Sequence, residues 1–584
     1  MTLPFSRNFR FFLAVFIPAL VLRGIFLITL DEDILFYKYP YFADKLAAGE
    51  SIGERLTDLS PVYLYLLTLF RWLTPFDWNL FKIFQAVTGA LNCWLAAELG
   101  RRVFASRTIG LLAGWGLAAY GNLIILEATL EPTVFVIFFN LLAVTGLYRF
   151  ADASPKPQDP PATRWLVLSA IFTGVSILTK PSFLLFIPLA AAWICILAGR
   201  QADWGTSLKQ VVLLGAIAMC IVFTVTLRNY LLLADRILVT ANAGKVFYHG
   251  NTREATATKW AGVPGQGFME DNSEEPDYAH VAFRIVAAER SGRKLKPSEA
   301  SRFWTKTVLQ DIAAEPNRYL ARQLDKFLFF FADYELHYIA SAYKEYKTSL
   351  GWPFLRYSTL AALGLAGMLM AIGRFKRLIP VYGMVGLYLV SGLIYVVQSR
   401  YRIPAAPYLC IFAAFAVHQA LRWLKSRRLP AFFALAAGVT LLTIGSRNVL
   451  QEQISATDSW FMATKYHYEL GAQFKFKAGR HKQAVAAATR ALEIAPDFAQ
   501  AYILRGKSHA LIGQHPDAIR DFEKVVQLHP NRPEGYRNLG FVYLITGAAG
   551  EAGVYLEKAL ELDPGDRKAA AALETLKAQT DPGS

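Results

Sequence analysis

Charge is scarce in this sequence. Asp, Glu, Lys and Arg make up 18% of the 584 residues, against 54% hydrophobic residues. That excludes the surface of an ordinary soluble enzyme. The 41 Phe and 27 Tyr point the same way, to a polytopic membrane protein. Cysteine is scarcer still. Cys93, Cys195, Cys220 and Cys410 all lie in apolar runs, which leaves no frame for a disulfide network or a zinc site. No basic nucleic-acid module appears, although the net charge is +16. The positive excess sits in short loops between apolar runs, where membrane orientation puts it, so no nucleic-acid partner is expected. A small-x-small cleavage site is missing from "FRFFLAVFIPALVLRGIFLITL". That run is also long for a signal core, so 9–29 reads as a retained first span.

Runs able to cross ~30 Å of hydrocarbon recur at about 9–29, 79–100, 107–126, 132–149, 164–180, 182–199, 209–228, 352–373, 378–397, 404–421 and 429–446. The expected fold is therefore an all-α polytopic membrane domain over 1–450, with about eleven transmembrane helices. Alternate short loops carry Arg7 and Arg10; Arg101, Arg102 and Arg107; Arg149, Lys156 and Arg164; Arg200 and Lys209; Arg374, Lys376 and Arg377; and Arg422, Lys425, Arg427 and Arg428. Those loops are predicted to be cytoplasmic. The N-terminus then lies in the cytoplasm, and an odd number of spans puts the C-terminus outside a cytoplasmic (inner) membrane. Two long segments face outward, about 30–78 and 229–351. Within the first, "SPVYLYLLTLFRWLTPF" (60–76) is short, apolar and bracketed by prolines. It reads as a helix lying at the membrane surface.

The tail changes character. Pro496, Pro530 and Pro564 recur at a period of 34, and Gly479, Gly513 and Gly547 close short helices. Tyr536, Leu539, Gly540, Tyr543, Ala552, Leu556 and Ala559 keep the spacing of a tetratricopeptide unit. Tyr502, Gly506, Ala518 and Phe522 repeat it one unit earlier, and Tyr468, Ala484 and Ala491 begin it. A three-repeat α-solenoid is expected over 460–584, capped by a helix at about 567–578. Such an array offers a groove for a protein or peptide partner.

The polar residues that stand against the apolar background are the candidates for chemistry. "LDEDILFYKYPYF" follows the first span and places Asp31, Glu32 and Asp33 at its outer end. A solvated stop at a span end is the plain explanation. The chemical one is a general base at the membrane interface, its pKa tuned by partial burial. Glu127 and Glu131 stand at the same level, around the end of the third span and the start of the fourth. Acids at that depth are costly, though Glu131 before Pro132 is also suited to a helix N-terminus. Lys180, Arg400 and Arg402 break the loop-charge pattern, and Arg228 lies level with them. Snorkelling is the alternative for each, but together they suggest an anion site.

The acidic motif, "SPVYLYLLTLF", "ILTKPSFLLFIP", "RNYLLLADRILVTANAGKVFYHGNT" and "SRYRIPAAPYL", in this order, resemble the GT-C glycosyltransferases. Within these, the chain is most similar to the protein O-mannosyltransferase and aminoarabinose transferase branch, over roughly 9–446. The resemblance implies inverting transfer of a sugar from a polyprenyl-phosphate carrier, on the outer face, to a protein hydroxyl or an envelope glycan or glycolipid. It implies a first-loop base: Asp33 with Tyr37 fits the acid-x-x-x-Tyr pattern best, Asp31 comes second, and the spacing from Tyr39 to Ala43 also matches. Lys180, Arg400 and Arg402 would hold the donor phosphate. Arg228 and the turn Asn242–Asn251, ending at Asn251, would shape the donor or acceptor site. Similar proteins that use a monophosphate carrier need no metal, while three adjacent acids are also able to hold a divalent cation. Two other functions compete: a non-catalytic membrane scaffold recruiting partners through its repeats, and a lipid-linked sugar transporter. A scaffold has no use for acids and cations on one face, and transporters set their ionisable groups near the midplane of broken helices.

Overall fold

The computed structural model describes residues 6–28, 38–74, 78–153, 162–198, 204–256, 279–332, 355–397, 399–448, 468, 472–477 and 479–580. Asp31, Glu32, Asp33 and Tyr37 lie outside them. Among the described residues every regular element is a helix. The chain divides into two compact units, Met1–Gln453 and Ile454–Ser584.

The first unit opens with α1 (Arg7–Ile28), α2 (Lys38–Ala47), α3 (Pro61–Leu73), α4 (Trp78–Phe104), α5 (Arg107–Ala118), α6 (Gly121–Ala128) and α7 (Thr133–Asp152). It continues with α8 (Thr163–Thr179), α9 (Phe186–Ala198), α10 (Trp204–Leu233), α11 (Ala243–Asn251), α12 (Ala279–Ser291), α13 (Pro297–Ala314) and α14 (Pro316–Phe331). It closes with α15 (Tyr357–Met370), α16 (Phe375–Ile394), the short α17 (Ser399–Arg402), α18 (Ala406–Lys425) and α19 (Leu429–Asn448). Among the described residues seven helices are long and apolar enough to cross a membrane, and the bent pair α5–α6 adds an eighth. α8, Pro181–Ile196 and α15 are shorter apolar helices that fall on three further expected spans. The expected surface helix appears as α3, thirteen residues with Pro61 in its first turn.

Two local features show how apolar helices pack at this density. Gly110 and Gly114 lie one turn apart on α5, against α4. A Cβ on Gly110 would come 2.6 Å from the Ala97 carbonyl, and one on Gly114 would come 3.0 Å from that of Cys93. Small residues thus set the distance between these spans. The second feature is the 54° bend between α5 and α6. A broken helix in lipid must satisfy its freed carbonyls. The Ala119 carbonyl accepts from the backbone N–H of Leu355, 3.0 Å away, at the entrance to α15.

The described parts of the two long segments between spans are folded on each other. Tyr248, Phe283, Trp304 and Val308 form the apolar centre of α11–α13, and the Trp304 indole N–H donates to the Phe283 carbonyl at 3.0 Å. This layer is tied to the segment between α1 and α4: Asn242 Nδ2 donates to the Asp58 carbonyl at 2.8 Å, and the Ala241 N–H to that of Thr57 at 2.9 Å.

The second unit comprises α20 (Phe474–Lys477), α21 (His481–Ile494), α22 (Ala499–Leu511), α23 (His515–Leu528), α24 (Pro533–Ile545), α25 (Ala549–Leu562) and α26 (Arg567–Thr580). Each pairs with the next. The period of 34 is visible in the bonding. Tyr502 Oη donates to the Pro496 carbonyl at 3.1 Å, and Tyr536 Oη to that of Pro530 at 3.0 Å. The reversals at Gly479, Gly513 and Gly547 have φ of +71°, +80° and +79°, which glycine adopts without a Cβ penalty. α26 is the expected capping helix, packed on α25 through Leu556, Ala559 and Ala569.

Candidate functional site

Seven of the sequence candidates fall among the described residues, and they divide into two groups. The first group is Glu131, Arg400 and Lys180. Glu131 is 2% exposed, just before α7. Arg400 Nη1 donates to its Oε1 at 3.2 Å. Arg400 comes from α17, where the chain turns between α16 and α18. Lys180 ends α8: its extended φ of −147° stops the helix before Pro181, as expected of a residue preceding proline. Its ammonium lies 4.4 Å from the centroid of the Tyr401 ring and 5.9 Å from that of Tyr388. The Arg400 guanidinium lies 5.1 Å from the same Tyr401 centroid. One aromatic ring is thus shared by two basic side chains, with the Glu131 carboxylate beside them.

α2 contributes to this wall. The Tyr39 ring meets that of Tyr63 edge-on, with centroids 4.9 Å apart, and Tyr39 Oη accepts from the Ser60 N–H at 3.2 Å. Burial raises the Tyr39 hydroxyl above its ordinary value; nearby Lys38 opposes the rise, and Glu131 and Arg400 also act on the hydroxyl. That hydroxyl therefore stays protonated at neutral pH. Tyr39 is six residues beyond Asp33 in the sequence.

The second group holds the frame. Glu127, 2% exposed, is paired with Arg23 of α1, 1% exposed: Nη2 to Oε1 is 3.0 Å and Nε to Oε2 is 2.6 Å. The Glu127 carbonyl accepts from Gln85 Nε2, and Gln85 Oε1 in turn accepts from Tyr63 Oη at 2.8 Å. A polar chain therefore runs from α3 through α4 and α6 to α1. Gly89 makes room for it, since a Cβ there would collide with the Glu127 carboxylate. Asn251 is also fully engaged: Nδ2 donates to the Phe247 and Ile394 carbonyls at 3.0 and 2.8 Å, and Oδ1 accepts from Lys326 and Gln323. Arg402 turns away from Arg400. Its Nη1 donates to the carbonyls of Phe329, Phe330 and Ala332 at 2.9, 3.2 and 2.8 Å, and its guanidinium stacks 4.0 Å from the Tyr357 ring centroid. It caps the C-terminus of α14. Arg228 Nη1 donates to Tyr65 Oη at 2.7 Å, and its other donors meet Asn229 Oδ1 and the Leu56 carbonyl. It joins α10 to the segment between α1 and α4.

Sequence reasoning missed Tyr401, Tyr388, Arg23 and Gln85, and named Tyr39 only as an alternative register of the first-loop motif. Two of these were accessible. Tyr401 stands between the two arginines that were singled out. Arg23 is a charge inside a 22-residue apolar helix, which demands a buried partner. Among the described residues no three His, Cys, Asp or Glu side chains are grouped to hold a metal ion; the acids at 31–33 fall outside that statement.

Residues 58–226 match the family described as dolichyl-phosphate-mannose-protein mannosyltransferase. The matched stretch runs from α3 to α10 and includes Glu127, Glu131 and Lys180. Residues 472–533 and 506–567 match the tetratricopeptide repeat family. A Triticum aestivum protein, "Hsp70-Hsp90 organizing protein", is 36% identical over 102 residues, 18% of each chain. The Schizosaccharomyces pombe "Anaphase-promoting complex subunit 3" is 30% identical over 84 residues, 14% of this chain and 13% of its own. The chain thus spans less than a fifth of the length of the curated relatives it matches. Among solved structures, an oligosaccharyltransferase of Archaeoglobus fulgidus is 14% identical over 78% of this chain and 58% of its own, with a TM-score of 0.41. Part of the membrane unit is thus similar to that mannosyltransferase family, and most of the second unit to the tetratricopeptide repeat family.

Proposed function

We propose that the membrane unit transfers a sugar from a polyprenyl-phosphate carrier to a hydroxyl acceptor on the outer face of a cytoplasmic membrane, with the N-terminus inside and the repeats outside. One observation carries this reading: Lys180 and Arg400 converge on the Tyr401 ring, beside the Glu131 carboxylate. Basic groups gathered at the ends of spans suit an anionic group there. The carrier need not leave the bilayer to present its phosphate to cations at the ends of spans. In the transfer, the acceptor oxygen attacks the anomeric carbon as the bond from that carbon to the phosphate oxygen breaks. The phosphate keeps the bonding pair, and fixed cations stabilise the charge that develops on it. Attack opposite the leaving phosphate inverts the anomeric centre. The acceptor proton passes to a first-loop carboxylate, Asp33 or Asp31, with Glu32 beside them and Tyr37 completing the motif. Arg228, Arg402, Glu127 and Asn251 serve as the frame, and Glu131 orients Arg400.

The acceptor is a protein hydroxyl or an envelope glycan, and the repeats bring a polypeptide to it. Replacing Asp33 and Asp31 singly and together by Asn tests the base. Losing a general base lowers the rate by roughly 10²–10⁴-fold, with donor binding retained. Normal turnover in the double variant would reduce the acidic motif to a span-end cap and sink this assignment.

A further inference from the structure

α14 is amphipathic with its faces reversed. Leu320, Leu324, Phe327 and Leu328 are 64%, 60%, 42% and 38% exposed, while Arg322 and Lys326 are buried. The exposed residues follow the i, i+4, i+7, i+8 pattern of one helical stripe. In water this would be the wrong way round, for a contiguous row of large apolar side chains on the outside needs a cover.

The neighbours of α14 say what covers it. The helix packs against α15, α16 and α19. α16 lies within a candidate span, α15 is a shorter apolar helix, and α19 is a span with none of its apolar window buried in the protein. Phe433 and Leu441 of α19 are 62% and 70% exposed. The surface adjoining the α14 stripe is therefore that of apolar helices whose exposed side chains suit lipid chains. We propose that α14 lies in the membrane interface, with Leu320, Leu324, Phe327 and Leu328 inserted among the lipid chains.

The buried side of the same helix gives the anchorage a consequence. Lys326 Nζ donates to Asn251 Oδ1 at 2.9 Å and to the carbonyls of Leu393 and Tyr395 at 3.1 and 2.9 Å. The last carbonyls of α14, with that of Ala332, hold Arg402, two residues from Arg400. The depth of α14 in the bilayer thus sets the position of α17. Lipid contact stands independently of the transfer reading; its effect on Arg400 as a donor ligand rests on that reading.

The test uses the full-length chain in its native membrane, with photoreactive benzoylphenylalanine replacing Leu324 or Leu328. Phe223 of α10, 58% exposed on a span, is the lipid-facing control. Arg293, between α12 and α13 and 60% exposed, is the water-facing control. Irradiation followed by mass spectrometry should find phospholipid adducts at 324 and 328, in yields comparable to 223, and none at 293. Ala321, exposed on the same side of α14, supplies a third position if either variant fails to fold. Cross-links from α14 to protein, or no lipid adduct while position 223 gives one, would overturn the proposal. If lipid adducts form but the Asp31 and Asp33 variants turn over normally, the anchorage stands and the transfer reading alone fails.

Discussion

Removing one end of the Arg23–Glu127 pair should damage the membrane unit far more than removing both. The two side chains are 1% and 2% exposed and make two contacts, at 3.0 and 2.6 Å. Glu127→Leu strands the Arg23 guanidinium among apolar spans, with uncharged acceptors such as the Ala19 carbonyl, 3.1 Å from Nη1, in place of a carboxylate. Arg23→Met strands the carboxylate against Gly89. Breaking a buried pair from one side costs about 3–5 kcal/mol, whereas replacing both members by apolar residues of similar volume is often neutral or stabilising. The expected coupling between the two substitutions is therefore about 3 kcal/mol or more, large beside the few tenths usual for independent sites.

The assay is thermal unfolding of full-length protein in detergent for wild type, both single variants and the double variant, read by loss of the monodisperse peak. The order of midpoints should be wild type and double variant together, both single variants well below. Equal stability in all four would refute the account. Glu127 would then be free to serve as the substrate ligand that its sequence position suggests. A double variant as poor as the sum of the singles would show that the site needs the charges and not merely their balance. Gly89→Ala provides an independent check, since its Cβ would intrude on the carboxylate and should reproduce part of the single-variant loss.

Arg400→Ala should weaken binding of a polyprenyl-phosphate donor analogue while leaving acceptor affinity unchanged, and Arg400→Lys should restore it only in part, because lysine lacks the bidentate fork. Arg402→Ala should instead raise hydrogen exchange along α14, since it removes the group that holds the last carbonyls of that helix. In the repeat unit, burial would raise the Asp566 carboxyl, but the Ala569 amide, the Arg537 guanidinium and the Lys568 amide more than reverse this and hold it below its ordinary value. A depressed folded value gives stability that is present above the unfolded range, near pH ~4, and is lost as pH falls through the folded value. Amide exchange in α24–α26, corrected for its intrinsic pH dependence, should therefore rise on acidification in wild type and less so in Asp566→Asn. Deleting 454–584 should spare glycosylation of a short peptide and abolish that of a whole protein; equal loss of both, or of neither, would end the recruitment reading.

The helices were legible because burial in lipid is written along one dimension. Each of the eleven apolar runs coincides with a described helix or bent pair, although the helix expected over 352–373 is described only from Tyr357 to Met370. The repeats were legible for a related reason: Tyr502–Pro496 and Tyr536–Pro530 recur because each unit contacts only its neighbours. The site was legible only as a set of unusual charges. Arg400 and Arg402 have nearly the same sequence surroundings. Two residues apart on a helical turn, they point in opposite directions, and which direction meets Glu131 depends on where α14 ends, some seventy positions earlier. Glu127 needed Arg23, 104 positions away. Asn251 looked like the end of a binding turn, and its amide is spent holding α11 to the end of α16.

What separates a cation that holds the frame from one that can take a ligand is the kind of partner it meets. Lys326 and Arg402 each face three oxygen acceptors at hydrogen-bonding distance, two of them carbonyls for Lys326 and all three for Arg402. Dislodging either would leave buried acceptors unmet, at a cost of about 1–3 kcal/mol for each group. Lys180 meets two aromatic rings, and among the described residues no carboxylate lies within ion-pair distance of it. A cation over a ring is held by about 2 kcal/mol even when desolvated. A phosphate oxygen, ionised and hydrogen-bonding, competes with that hold without uncovering any acceptor. Charge alone nominated Lys180 and Arg402 equally. Under the proposed transfer, the acceptors around them leave Lys180 to the anion and Arg402 to the scaffold.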